Sequence, residues 1–103
     1  MIQNTPLDLT VSNILVGTGS LGTASTTFYF CNRSGSATTF NLYAVPAGFT
    51  ANGNNIVYSN KLIASNDTYI ADLEKIFLGP GDTLQANANV GDSVVATVSS
   101  IGL

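Results

Sequence analysis

Two stretches decide the fold: Ser25-Thr26-Thr27-Phe28-Tyr29-Phe30-Cys31-Asn32 and Thr38-Thr39-Phe40-Asn41-Leu42-Tyr43-Ala44-Val45. Both are rich in β-branched and aromatic residues, and both alternate with a period of two rather than 3.6. In the first, Phe28 and Phe30 fall on one side, Tyr29 and Cys31 on the other. In the second, Phe40, Leu42 and Ala44 face one way and Asn41, Tyr43 and Val45 the other, so the first set reads as core. Arg33-Ser34-Gly35-Ser36 between them is short and turn-rich, which predicts that the two strands pair as a hairpin.

The same reading extends to both sides. Residues 7–16 read as a first strand with Leu7, Leu9 and Val11 on one face and a change of phase near Ser12-Asn13. Residues 17–22 (Gly-Thr-Gly-Ser-Leu-Gly) form a flexible turn. The longest loop, residues 46–55, carries Phe49, an aromatic that no strand pattern uses. Residues 56–59 and 61–64 read as two short segments or as one kinked strand. Residues 68–78 begin as a strand, with room for a five-residue helix over 71–75. Gly79-Pro80-Gly81-Asp82 must reverse the chain, because proline fixes φ and glycine permits a positive φ. Residues 83–88 and 93–101 follow as the last strands. Seven or eight short strands at this spacing predict an all-β, antiparallel two-sheet β-sandwich, jelly-roll or Ig-like. One domain accounts for residues 1–103, with 1–6 as an extended N-terminal arm.

Composition narrows the chemistry. The chain has no His, no Trp, one Cys and nine charged residues, while Ser, Thr and Asn supply about a third of it. Enzymes usually move protons and electrons through His, Cys, Lys and carboxylates gathered in one pocket. Here the charged residues are scattered without repeated spacing, which predicts a protein that is neither an enzyme nor dependent on a metal or cofactor. A net charge of −3 with only Arg33, Lys61 and Lys75 basic argues against nucleic acid as a partner. No apolar run approaches the ~18 residues of a membrane span, and residues 1–6 lack the features of a secretion signal. Cys31 within Phe28-Tyr29-Phe30-Cys31-Asn32 reads as a buried, inert thiol.

Sharper readings compete with plainer ones at four places. Asp67, Asp72, Asp82 and Asp92 could offer oxygens to Ca²⁺, but Asp82 and Asp92 follow glycines where aspartate commonly organises a turn. Asp72 and Glu74 share a face if residues 68–78 are extended, yet a sheet edge offers no cleft to raise one carboxyl as glycoside hydrolysis requires. Tyr29, Tyr43, Tyr58 and Tyr69 could stack on sugars, or serve as core-edge and cross-strand pairs. Residues 17–22 match a dinucleotide-binding glycine pattern by letter only, with no βαβ unit around them.

The order of residues 36–48, 63–69, 78–86 and 95–99 resembles small β-sandwich structural proteins of tailed bacteriophages, including capsid decoration (cement) proteins, over residues 25 to 101. The resemblance implies a virion protein on the capsid surface whose partner is the phage major capsid protein. It also implies a homo-oligomer, with a trimer as the first expectation. A tail or fibre module binding host-surface glycans is the alternative. Ile2, Pro6 and Phe49, with Tyr58 as a weaker candidate, are expected at the partner interface, because the sandwich core does not use them and aromatics are enriched at buried interface centres.

Overall fold

The computed structural model describes residues 1–71 and 75–103. Nine strands are found among them: β1 (Ile2–Pro6), β2 (Ser12–Val16), β3 (Thr23–Asn32), β4 (Thr38–Val45), β5 (Ile56–Ile63), β6 (Thr68–Ala71), β7 (Phe77–Leu78), β8 (Thr83–Ala88) and β9 (Val94–Gly102). They build two antiparallel sheets. Sheet A runs β1-β9-β3-β6, with β7 also pairing β3, and sheet B runs β2-β8-β4-β5. β6 pairs with residues 28–31 of β3 and β7 with residues 23–24, so both lie along one edge of β3. Eight strand positions remain, in the order of a jelly roll, with the chain passing between the sheets at every connection except β4–β5 and β6–β7.

Alternation explains why these segments are strands. β8 and β9 bury every second residue (Leu84, Ala86, Ala88; Val94, Ala96, Val98, Ser100), as a half-buried ladder must. Phe30 of sheet A stacks on Phe40 of sheet B with ring centroids 4.1 Å apart, joining the layers at the centre of the core. Tyr58 and Tyr69 meet edge to face at 5.5 Å and close the open side between β5 and β6, and the Lys61 ammonium sits 4.7 Å from the Tyr69 ring.

Several expectations are corrected. β3 and β4 do not form a hairpin: β3 pairs with β6, β7 and β9, while β4 pairs with β5 and β8. The turn at Arg33–Ser36 instead carries the chain from one sheet to the other. Residues 7–16 are not one strand either. Leu7 is wholly buried, Leu9 and Val11 are exposed in the connection, and the register shift falls between Asn13 and Leu15. Residues 1–6 hold the edge strand β1, paired with β9 from Ile2↔Ser99 to Pro6↔Val95. Val45 is buried although the alternation placed it outward. The kinked strand over 56–64 is β5, with Asn60 at φ 50° where the register slips. Most of the helix considered over 71–75 falls outside the described residues.

Asn32 ties one end of the sandwich together. It is fully buried, and its Nδ2 donates to the carbonyls of Ser36 (2.9 Å), Ile63 (3.0 Å) and Ala64 (3.2 Å). Its Oδ1 accepts from Ser34 N (3.0 Å) and Ser34 Oγ (2.7 Å). One amide thereby joins the β3–β4 and β5–β6 connections. Among the described residues no buried side-chain polar atom lacks a partner.

Candidate interface

Topology sorts the connecting loops into two clusters with opposite character. At one end lie residues 7–11, 33–37, 64–67 and 89–93, which hold Asp8, Arg33, Asp67 and Asp92. Arg33 Nη2 pairs with Asp92 Oδ1 at 2.5 Å, and Arg33 Nε donates to the Asp92 carbonyl. Leu9, Val11 and Val90 are exposed here among the charges. At the opposite end lie residues 17–22, 46–55 and 79–82, whose only charged side chain is Asp82.

That carboxylate is consumed by the fold. Asp82 Oδ1 accepts from Ala47 N (2.8 Å) and Oδ2 from Gly79 N (2.9 Å), while its backbone carbonyl accepts from Gly17 N (2.8 Å). A single residue therefore clasps all three loops. The reversal expected at Gly79-Pro80-Gly81-Asp82 is present, with Asp82 N donating to Gly79 O and Gly81 at φ 87°. Gly17 and Gly22 pack against the backbone of residues 78–79 so closely that neither position has room for a Cβ.

With the one charged side chain of these three loops satisfied internally, this end presents apolar side chains. Leu21 is 72% exposed, Phe49 68% and Phe77 68%, and Met1, Ile101 and Leu103 lie at the same end. Phe49 thus stands away from the sandwich rather than capping it. Its loop is held by its own amides: Asn52 Nδ2 and Asn55 Nδ2 both donate to Thr50 O, and Asn54 N donates to Asn52 Oδ1. An open recess of about 150 Å³, lined by Ala44, Val45, Pro46, Ile76, Phe77, Leu78 and Asp82, lies beside it. Such a surface has little to desolvate and much apolar area to bury.

The other residues singled out from the sequence are dispersed. Ile2 and Pro6 are exposed on the outward side of β1, in register with Ser99 and Val95. Tyr58 is half-buried against Phe40 and Tyr69, and burial together with the Tyr69 hydroxyl pushes its pKa up to about 12. Tyr29 faces out of sheet A and Tyr43 is half-buried on the outer side of sheet B, so the four tyrosines do not make one platform. Cys31 is half-buried on the outward face of sheet A, not in the core, because it shares its register row with Val95 and Thr68. Asp72 and Glu74 lie outside the described residues. Among those described, no three His, Cys, Asp or Glu side chains converge.

Leu21, Phe77 and the recess were not singled out by sequence reasoning. Leu21 sits in a glycine-rich turn and Phe77 in a run that reads as strand, and only the topology brings them to one end with Phe49. Comparison with protein-family models, with curated proteins and with solved structures returned no match.

Proposed function

We propose that the chain is a non-enzymatic structural protein of a phage virion, a capsid decoration protein that docks its apolar end onto the assembled shell. One observation carries the reading: exposed Leu21 and Phe49, from two loops, and Phe77 of β7 lie at the end whose three loops carry a single charged side chain, already satisfied internally. The jelly roll is an architecture used by viral capsid domains, which agrees with the resemblance in sequence, although fold alone does not assign function. Binding a site that exists only between assembled subunits stabilises the lattice by mass action, and a small increment per site is repeated over the whole shell. The dispersal of the tyrosines gives the glycan-binding alternative no comparable support.

The test is co-sedimentation of the purified protein with undecorated shells. Wild type should pellet saturably with them. Phe49→Ala and Leu21→Ala should lose binding while keeping the wild-type melting temperature, because both side chains are exposed in the free protein. Equal binding by wild type and both variants, or a melting temperature lowered as far as a buried Phe truncation would lower it, would remove the basis for the reading.

A further inference from the structure

The two broad faces of the sandwich differ. On the outer face of sheet B, polar side chains are spent on one another: Asn60 N donates to Asn41 Oδ1 (2.8 Å), Asn41 Nδ2 to Asn87 Oδ1 (3.0 Å) and Asn87 Nδ2 to Leu9 O (2.9 Å). This relay crosses the sheet from β5 to β8, and the exposed apolar side chains Leu62 and Val16 lie apart from it at opposite ends of the sheet.

The outer face of sheet A is built otherwise. Register places Ile70, Tyr29, Thr97 and Asn4 in one row, Thr68, Cys31, Val95 and Pro6 in the next, and Thr27, Ser99 and Ile2 in a third. Phe77, Ala24 and Ile101 form a fourth row at the apolar end. Ile2 is 70% exposed, Phe77 68%, Ile101 56% and Ile70 51%, and no described residue in these rows is charged.

We infer that this face is a self-association surface whose occupant is the same face of a second copy of the chain. Two arguments select a copy over a foreign protein. A symmetric contact sets identical groups against one another, so on a chain of net charge −3 it needs a face that brings no like charges together. A face without charge among its described residues also gives a foreign partner little to steer or orient it, whereas symmetry itself orients a copy. The size fits as well. The strands of sheet A hold 30 residues, which at a rise of about 3.3 Å and a spacing of about 4.8 Å cover on the order of 500 Å² in projection. Side-chain relief raises this toward the ~800 Å² that each partner commits to a standard interface. Face-to-face packing with the two-fold axis along the strands sets both apolar ends side by side, joining them into one larger docking surface. The inference does not depend on what that end binds.

Sedimentation equilibrium of the full chain tests it. Wild type should be a concentration-dependent oligomer. Thr97→Lys and Tyr29→Lys, which place charges at the centre of the face, should weaken association about 100-fold or more. Gln85→Lys, on the outer side of sheet B, should leave it unchanged. Alkylation of Cys31 supplies a second readout: it should be slow in the wild-type oligomer and accelerate on dilution or in either sheet A variant. The inference is overturned if wild type is monomeric at all concentrations, if both sheet A variants associate like wild type, or if Gln85→Lys dissociates the oligomer as they do.

Discussion

Replacing Asn32 with alanine removes five hydrogen bonds from one buried side chain. Four of their partners, the carbonyls of Ser36 and Ala64 and the backbone N and Oγ of Ser34, lie near enough to the surface to find water. The bond to the Ile63 carbonyl is buried, and that acceptor would be left without a donor. A net value of about 1 kcal/mol per bond is discounted where water substitutes, and an unsatisfied buried acceptor adds about 1–3 kcal/mol, giving a loss of roughly 3–5 kcal/mol. For a domain of this size that lowers Tm by at least about 12 °C. Urea and thermal unfolding followed by circular dichroism give both numbers. Asn32→Asp should be worse at neutral pH, because a carboxylate replaces the donor facing three carbonyl oxygens. That variant should recover as pH falls: protonation restores one donor, so the folded state holds the proton more tightly than the unfolded one and stability increases toward acid. A loss below about 1 kcal/mol for Asn32→Ala, or a pH-independent Asn32→Asp, would refute the idea that this amide holds the end of the sandwich.

Three further outcomes follow from local geometry. With its pKa pushed up to about 12, Tyr58 should ionise above the ordinary tyrosine value near 10 in an ultraviolet titration; its contribution to stability is complete below that ordinary value and lost as pH rises toward 12, and Tyr58→Phe should abolish that loss. Gly17→Ala should destabilise severely, since its Cβ would collide with the Gly79 carbonyl, whereas Gly35→Ala, with open space around it, should stay within about 0.5 kcal/mol of wild type in denaturant melts. Asp82→Ala should cost about 1–3 kcal/mol by releasing Ala47 N and Gly79 N, and should also weaken co-sedimentation with shells although Phe49 is untouched.

The strands that bury one face were legible in the sequence, because alternation in residues 25–32, 38–45, 83–88 and 93–101 is imposed directly by the core. Alternation misled where no core enforced it. Leu7, Leu9 and Val11 keep the spacing of a strand, but only Leu7 is buried, and its backbone N bonds to Val94 O. Pairing was not legible from turns: the residues at 33–36 suit a hairpin and a crossing between sheets equally, and the choice is made by β9, more than sixty residues away, occupying the place beside β3. Phe49 was recognisable as a residue without a strand to serve. Leu21 and Phe77, at the same end, were not, since a surface assembled from separate loops and a short strand has no local signature.

The most direct test of docking through the apolar end is cryo-EM of virions carrying the chain. The account predicts sandwich density over the shell with the end bearing Leu21, Phe49 and Phe77 against the capsid protein and the Arg33–Asp92 end turned to solvent. Density bound through the Arg33–Asp92 end, or a shell that carries no copy of the chain, would contradict it.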